Sequence, residues 1–407
     1  MRGIPLKRLP AIAVAAAFVA GVATLAAVPQ AAHAQAKPVI MRFAADFPPP
    51  PHPAGLAMKY FAERLPKVIP GSEARLYFAG ALYTVPEAYE AMRQGNLEMT
   101  WMQIGKAAPV DSYMLSVVGP GILTTVGAVD NIDKTSTFQM LVERMAKNQQ
   151  VKVFGVGHMS FGMGVGGKKR YAAPADFVGK KVRSMGPAEN PVLEAWKANP
   201  VVMAFGEVPS AMESGVIDGL MTSLGGWNSM REQAPYYTMG GAGAFVGDYY
   251  MVSASRRWWD RLSPAQREAM EKLIAETIQV QKEYNWCFDK IAYDKYGTKD
   301  PSKPGVYWMT PEEVNAMVGA MGSAAVNYVK SKTPPAAAPW VDKFVQEGRE
   351  LSKKNPSGTS WIEKVDCSKH ASKIIIRSME KADAAWRAFQ DRFLAHAAAL
   401  VLLGATL

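Results

Sequence analysis

The chain contains little cysteine and histidine, and this scarcity excludes several ways of building a fold or a site. Its 407 residues include two cysteines and five histidines. Two cysteines cannot form a disulfide framework, so the hydrophobic core must hold the fold, and Cys287 and Cys367 either pair or remain buried free thiols. No metal-ligand spacing relates the histidines that follow residue 34, namely His52, His158, His370 and His396. We therefore expect no metal and no cofactor.

Motifs of the common catalytic machineries are also missing. The chain has no Gly-x-Ser-x-Gly nucleophile elbow. Residues 162–167 have the Gly-x-Gly-x-x-Gly spacing of dinucleotide sites, but residues 168–174 follow where a helix should receive the pyrophosphate. Glu207 and Asp218 could form an acid–base pair, yet Glu87 and Glu98 recur at the same positions of an internal repeat. The sequence therefore predicts that the protein is not an enzyme.

Long apolar runs stand at both ends of the chain. Three basic residues precede an apolar run over residues 11–28, and Pro29 then precedes a small-x-small site ending at Ala34. This order is typical of a secretory signal peptide cleaved near Ala34. The alternative is an uncleaved membrane anchor, because the run approaches spanning length. The second run, residues 393–407, is too short to span a bilayer.

Charge of neither sign dominates the chain. It has 46 basic and 36 acidic residues, a formal charge of +10, and three of the basic residues lie before residue 34. The basic residues are dispersed, and no arginine-rich helix or basic run with interleaved aromatics occurs, so we expect no nucleic acid partner. An exported protein with this net positive charge can favour the binding of small anions. The charge is equally compatible with a surface that only keeps the protein soluble.

Two stretches that lie 120 residues apart follow nearly the same pattern. Residues 87–98, EAYEAMRQGNLE, align with residues 207–218, EVPSAMESGVID. Each predicts a short helix ended by a glycine that tolerates a left-handed backbone, then the start of a strand with one aliphatic and one acidic residue. A unit used twice indicates two similar α/β lobes. Ligands of such lobes bind beyond the carboxyl ends of the strands, so two facing lobes form a cleft.

The remaining pattern alternates strands with helices. We expect strands over residues 39–45, 73–78, 97–103, 151–156, 179–184 and 244–253, the last of which crosses back into the first lobe. We expect helices over residues 54–65, 84–94, 191–197 and 263–293, and another that starts at 310. Residues 221–227 are predicted as a loop and residues 333–339 as a proline-rich linker.

An ordered set of motifs resembles the periplasmic solute-binding subunits of TRAP transporters, of the C4-dicarboxylate-binding type. Residues 176–183 fit the pattern D-x-x-G-x-K-x-R, and residues 207–219 fit E-V-x-x-A-L-x-x-G-x-x-D-G with Met212 in the leucine position. Residues 258–271 are similar to the aromatic-plus-leucine start of the long family helix. The resemblance covers roughly residues 39–330.

The resemblance implies a two-lobe periplasmic binding protein, type II-like, with long C-terminal helices. Its parts would be a signal peptide (1–34), lobe I (37–157 plus 245–262), lobe II with long connecting helices (158–244 plus 263–332), and a linker with a C-terminal extension (333–407). In the periplasm it would capture an organic acid in the interlobe cleft and deliver it to a small and a large membrane subunit. An ABC-type solute binder is the alternative, and an exported hydrolase or lyase acting on an organic acid is a more distant one.

Arg183 is the predicted anchor for the ligand carboxylate, because a guanidinium offers a planar fork that matches a carboxylate in two hydrogen bonds. The alternative is one more basic residue beside Lys180 and Lys181. The sequence also departs from the family. Residues 158–164 lack the second arginine of many members, and Met221 and Thr222 replace a frequent Glu-Asn pair.

These departures favour a monocarboxylate with an apolar or aromatic body over a dicarboxylate or a sugar acid. Four aromatic residues are candidates to pack that body, with packing in the lobe cores as the alternative at each. The predicted binding residues are Arg183, Phe47, Trp101, Gln103, Phe161, Thr222 and Trp227.

Overall fold

Strands and helices alternate in the structure, a computed structural model that describes residues 37–203, 205–240, 244–355 and Cys367. The predicted signal peptide and the apolar run over residues 393–407 lie outside the described residues. In chain order, the strands are β1 (Ile40–Ala45), β2 (Glu73–Tyr77), β3 (Met99–Gln103), β4 (Val151–Gly157), β5 (Met163–Gly167), β6 (Lys181–Ser184), β7 (Asn199–Val202), β8 (Gly219–Ser223), β9 (Tyr236–Met239), β10 (Tyr250–Ser255), β11 (Gly297–Thr298) and β12 (Gly305–Trp308).

The helices begin where the sequence supplies local caps. Thr84, Ser263 and Thr310 each form a capping box with the side chain three residues later. In chain order, the helices are α1 (Pro53–Val68), α2 (Val85–Gln94), α3 (Val126–Val129), α4 (Ser136–Asn148), α5 (Asn190–Ala195), α6 (Val208–Glu213), α7 (Leu224–Asn228), α8 (Arg256–Trp259), α9 (Pro264–Tyr296), α10 (Pro311–Met321), α11 (Ala324–Lys332) and α12 (Ala338–Lys354).

The strands form two sheets, and three neighbouring strands are arranged in the same way in both. The first sheet runs β2-β1-β3-β10-β4 and the second runs β11-β12-β9-β5-β8-β6-β7. In the first, β1 lies between β2 and β3 and is parallel to both. In the second, β6 lies between β7 and β8 and is likewise parallel to both. Each sheet is the centre of one α/β lobe, which we call lobe I and lobe II in that order.

The glycines of the sequence repeat have the same backbone conformation. Gly95 follows α2 with φ 83°, and Gly215 follows the end of α6 with φ 74°. Both values lie in the left-handed region, where a side chain is strained. The chain turns at each glycine and continues into β3 or β8, so the repeat of sequence is a repeat of structure.

The acidic residues of the repeat perform one structural task in both lobes. The Oε2 atom of Glu98 accepts the backbone N–H of Arg42 in β1 at 2.7 Å. The Oδ2 atom of Asp218 accepts the backbone N–H of Lys181 in β6 at 2.8 Å. Each carboxyl group thereby joins its strand to the neighbouring parallel strand. This task accounts for their recurrence without catalysis.

Two crossings between strands, the long helix α9 and the path from α10 to α12 connect the lobes. The chain leaves β4 of lobe I at Gly157 and enters β5 of lobe II at Met163. It returns to lobe I in β10, which lies between β3 and β4 and is antiparallel to both. Helix α9 packs on α1 and β4 of lobe I and on α7 of lobe II. Strands β3, β5 and β10 are buried along their whole length, as expected for strands covered on both faces.

Three predicted elements differ from the structure. The crossing strand begins at Tyr250 instead of residue 244, because the preceding backbone bonds to turns: Tyr249 O accepts from Ile104 N and Gly247 O from Gly119 N. The predicted loop over residues 221–227 is the end of β8 followed by α7. The predicted linker over residues 333–339 is a 3-10 turn that leads into α12, where a proline in the first turn removes no helical hydrogen bond.

Cys287 in α9 and Cys367 form a disulfide bond, with their Cα atoms 5.4 Å apart. Of the two alternatives that the sequence leaves open, pairing is therefore the one observed. The bond joins positions 80 residues apart and ties Cys367 to the middle of α9. Within the described ranges, no helix combines the length and the apolar character needed to cross a membrane.

Candidate ligand-binding site

A cavity of about 520 Å³ lies between the two lobes. Lobe I contributes the loop after β1, the start of α1 and the start of β10. Lobe II contributes residues of β6, β8 and α7, and α9 contributes Phe288. An enclosed, largely apolar cleft with a few convergent polar groups is the usual form of a small-molecule site.

Arg183 in β6 is 7% exposed and lies on the lobe II wall, which also carries the charged residues Arg231 and Glu232. Its Nε atom donates to the carbonyl oxygen of Met203 at 3.3 Å, and its Nη1 atom donates to that of Met221 at 3.1 Å. A guanidinium has five N–H groups, so these bonds fix its plane and leave three without a partner among the described residues. Burial lowers the pKa of Arg183, while the Glu189 carboxyl group opposes the shift, and arginine stays protonated at neutral pH.

The middle of the cavity is apolar. Met185 and Phe205 of lobe II line it, as does Phe288, and the Phe205 ring lies 5.9 Å from the guanidinium carbon of Arg183. Thr222 at the end of β8 adds one hydroxyl group to this wall. A Cβ atom at Gly226 would collide with the Thr222 hydroxyl oxygen, so only glycine lets the first turn of α7 approach β8 this closely.

A set of packed aromatic rings supports the lobe I wall. The Phe47 ring packs against those of His52 and Tyr250, at centroid distances of 5.7 and 4.8 Å. His52 precedes α1 and Tyr250 begins β10, and both line the cavity. Burial lowers the pKa of His52 to about 4 and raises the pKa of Tyr250 well above its ordinary value. Both side chains are therefore uncharged at neutral pH.

Two of the predicted aromatic contacts belong to the core of lobe I. Phe47 is buried behind His52 and Tyr250 and does not itself belong to the described cavity wall. Trp101 in β3 is fully buried, with its ring 5.9 Å from Phe47 and stacked on Phe43 at 6.4 Å. These two rings position the cavity wall from behind, and their contact with a ligand stays a prediction.

Phe161 and Trp227 also pack away from the described wall of the cavity. The Phe161 ring lies 4.4 Å from that of His158, close to the crossing from β4 to β5. Trp227 in α7 stacks on Tyr237 at 5.4 Å, and its Nε1 atom donates to the carbonyl oxygen of Ala234 at 2.6 Å. The indole is thus satisfied within lobe II.

Gln103, the remaining predicted contact, is hydrogen-bonded inside the protein. Its Nε2 atom donates to Asp248 Oδ2 at 2.7 Å, and Asp248 Oδ1 also accepts the backbone N–H of Gly105 at 3.0 Å. Burial raises the pKa of Asp248 to about 6 against these hydrogen bonds. Gln103 therefore braces the turn after β3, and of the predicted set Arg183 and Thr222 are the members that line the cavity.

A second buried carboxyl group, Glu189, lies near Arg183 and Asp248. Burial raises the pKa of Glu189 to about 8, the Asp248 charge adds to the rise, and Arg183 opposes it. The Oε2 atom of Glu189 has no hydrogen-bond partner in the described part of the chain. A carboxyl group that is largely protonated at neutral pH gives Arg183 no fixed counter-ion.

Three residues of the site, His52, Tyr250 and Glu189, are not among those predicted from the sequence. His52 directly follows the four-proline loop, and this position after β1 is a usable signal because ligands bind beyond the carboxyl ends of strands. Tyr250 and Glu189 carry no comparable local signal. They reach the site through strand pairing and through the packing of the two lobes.

Two α/β lobes around a cleft, with a buried arginine on one wall, define a two-lobe ligand-binding protein. The chain belongs to the bacterial extracellular solute-binding proteins, family 7, whose family model matches residues 44–331, more than half of the chain. The match confirms the solute-binding family that the sequence motifs indicate.

Two named relatives are similar in sequence. The C4-dicarboxylate-binding periplasmic protein DctP of Rhodobacter capsulatus is 26% identical over 253 residues, which cover 60% of this chain and 73% of the relative. The protein of the same name from Vibrio cholerae is 24% identical over 242 residues, which cover 58% of this chain and 70% of the relative.

Solved structures of TRAP periplasmic solute-binding proteins share the fold. One from Ochrobactrum anthropi has a TM-score of 0.67 at 21% identity, and the match covers 78% of this chain and 97% of the Ochrobactrum chain. One from Sulfitobacter sp. NAS-14.1, with bound β-D-galacturonate, has a TM-score of 0.63 at 20% identity and coverages of 76% and 99%. One from Shewanella oneidensis, with bound succinate, has a TM-score of 0.62 at 18% identity and coverages of 76% and 99%.

Proposed function

We propose that this protein captures an organic monocarboxylate in the interlobe cavity and that Arg183 binds the carboxylate. One observation carries the proposal: Arg183 is buried on the cavity wall, and among the described residues no carboxylate lies within ion-pair distance of it. A buried, unpaired guanidinium is costly, and an anionic ligand would remove that cost. Its plane is already fixed by two carbonyl groups, so little side-chain entropy is lost on binding.

The remaining wall supports an apolar body for the ligand. Met185, Phe205 and Phe288 offer contact area between the lobes, and the proline loop of lobe I adds more. The galacturonate and succinate found in similar structures are carboxylates, which supports the ligand class. A monocarboxylate is favoured over a dicarboxylate because residues 158–164 lack the second arginine of the family pattern.

The protein would then act by closure and delivery. The lobes would close around the bound acid about the crossings at Gly157 and before β10, which excludes water and strengthens the charged contact. In the periplasm, the closed form would deliver the chemically unchanged acid to a small and a large subunit of the membrane transporter. Membership of a solute-binding family and a leader sequence typical of export, with a small-x-small site ending at Ala34, support this part of the proposal.

A thermal-shift screen of organic acids followed by calorimetry tests the proposal, since a tight ligand raises Tm by mass action. We expect Arg183→Ala to abolish measurable binding of the acid found in the screen. Arg183→Lys should weaken binding at least about tenfold, because an ammonium group cannot form the bidentate pair. The control is Arg75→Ala, which removes an exposed arginine of lobe I paired with Glu73 and should leave affinity unchanged.

Mass spectrometry of the acid recovered after long incubation should return the original mass, as expected for a binding protein and not for a hydrolase or lyase. Unchanged affinity of Arg183→Ala, in a variant that keeps the wild-type Tm without ligand, would contradict the assignment of the anchor.

A further inference from the structure

The cavity wall opposite Arg183 carries two polar side chains with unused hydrogen-bonding capacity. The Nδ1 atom of His52 is buried and has no hydrogen-bond partner in the described part of the chain. Tyr250 also lines the cavity, and no described residue is a hydrogen-bond partner of its hydroxyl group. A buried donor or acceptor without a partner is destabilising, so such groups usually have a further role.

The two side chains are held in place independently of any ligand. The His52 backbone N–H donates to the carbonyl oxygen of Pro49 at 3.1 Å at the start of α1. The Tyr250 backbone pairs with Gln103 of β3 and Gly157 of β4. Both rings pack on the buried Phe47 ring, whose centroid lies 5.7 Å from that of the imidazole and 4.8 Å from that of the phenol. Their rings thus form a rigid polar surface, as a preorganised site requires.

The two walls of the cavity differ in charge. Arg183 on lobe II is a cation. His52 and Tyr250 on lobe I are uncharged at neutral pH, because burial lowers the pKa of the imidazole and raises the pKa of the phenol. A second carboxylate would therefore meet no positive charge on the lobe I wall. A neutral hydroxyl or carbonyl group could accept from the phenol or exchange a hydrogen bond with the imidazole.

Arg231 is a second guanidinium on the cavity wall, but it belongs to lobe II, as Arg183 does. Its Nη1 atom donates to the backbone carbonyl of Asn228 at 2.8 Å and to the side-chain oxygen at 3.3 Å, and its guanidinium lies 5.4 Å from the Tyr296 ring. These contacts hold it on its own lobe. It does not supply the lobe I wall with a charge.

We propose that His52 and Tyr250 form an uncharged second anchor that selects monocarboxylates with a neutral hydrogen-bonding group at the end remote from the carboxylate. The inference rests on the proposed function, because it takes Arg183 as the carboxylate site. A ligand of this kind spans the cleft, with its acid on lobe II and its hydroxyl or carbonyl on lobe I. It links the two lobes directly and thereby favours the closed form.

The test uses straight-chain acids of four to eight carbons in three forms: the plain monocarboxylate, the ω-hydroxy acid and the dicarboxylate. Calorimetry should give an ω-hydroxy acid that binds the wild-type protein about tenfold more tightly than the plain acid and the dicarboxylate of equal length, the difference expected for one or two neutral hydrogen bonds. In Tyr250→Phe and His52→Phe this preference, measured as the ratio of the affinities for the ω-hydroxy acid and the plain acid within each variant, should fall severalfold.

Tyr249→Phe is the matched control, since Tyr249 is the adjacent residue, has a buried hydroxyl group without a partner among the described residues, and does not line the cavity. Tyr249→Phe should bind the ω-hydroxy acid more tightly than the plain acid by the same factor as the wild-type protein does. Circular dichroism melting verifies that each variant folds, and His52→Leu replaces His52→Phe if the latter does not. Tyr250→Phe alone still decides the role of the phenol.

Equal wild-type affinity for the plain and hydroxylated acids overturns the second anchor, and so does tightest binding of the dicarboxylate. If Arg183→Ala abolishes binding of all three forms in those cases, the proposed function stands and the second anchor alone falls. If the wild-type protein binds none of the forms, both fail together.

Discussion

At the residue scale, the repeat assigns equivalent side chains of the two lobes to different tasks. Glu98 and Asp218 bond to the backbone of Arg42 and Lys181, so these positions correspond. Two residues further along β6 lies Arg183, and its counterpart in β1 is Ala44. One scaffold position is therefore a small core residue in lobe I and the proposed anion anchor in lobe II. The charge is a property of lobe II alone, which explains why the repeat by itself could not identify it.

Glu98 gives a residue-scale prediction about stability and pH. Burial opposes its ionisation, but hydrogen bonds from the side chain and backbone of Arg42 outweigh that effect and lower its pKa. A depressed carboxyl pKa stabilises the folded state above the unfolded value of about 4, and the stabilisation is lost as pH falls through the folded value. We expect Glu98→Gln to reduce the free energy of unfolding by about 2 kcal/mol at pH 7 and by much less at pH 3.

Urea unfolding at both pH values measures this difference. Glu63→Gln is the control, because Glu63 is exposed in an i,i+4 pair with Lys59 and should change stability by less than about 0.5 kcal/mol. An equal loss in Glu98→Gln at pH 7 and pH 3 would show that the carboxylate charge is not the cause.

At the element scale, the helices and strands with local signals were predictable. The capping boxes and the left-handed glycines lie within a few residues of the ends that they determine, so the sequence alone indicates them. The elements that were missed include strands β5, β7 and β11, helices α3, α4, α8, α11 and α12, and the two strands β9 and β12. The two strands are short and buried by partners distant in sequence, which leaves no alternating pattern to read.

The two repeat glycines give an element-scale prediction. Gly215→Ala should cost about 1 kcal/mol through its positive φ alone, since an added Cβ would meet no described atom within 4 Å. Gly95→Ala should cost more, because its Cβ would also lie 3.2 Å from the Cδ atom of Arg257. Gly319 in α10 is the opposite case: alanine there meets open space at an ordinary φ and should stabilise by up to about 1 kcal/mol.

Thermal and urea unfolding should show that Gly319→Ala is more stable than the wild-type protein. Gly215→Ala should be less stable than the wild-type protein, and Gly95→Ala should be the least stable of the three variants. If Gly215→Ala and Gly319→Ala changed stability in the same direction, backbone conformation would not be the determining factor at these helix ends.

At the scale of the whole molecule, the shared order of β2-β1-β3 and β7-β6-β8 places two similar sheets on either side of a cavity. The two lobes could be predicted from the repeat and from the family resemblance. The residues that line the cavity mostly could not. Hydrophobicity identifies Phe47, Trp101, Phe161 and Trp227 as buried, but it does not tell whether the core or the cleft buries them. That distinction depends on how the lobes pack.

A crystal structure of the protein with the acid that gives the largest thermal shift tests the central claim most directly. The account predicts closed lobes with the ligand carboxylate within 3.2 Å of the free guanidinium N–H groups of Arg183, the usual limit for such hydrogen bonds. A ligand bound elsewhere, or a carboxylate that faces away from Arg183 inside the cavity, would contradict it.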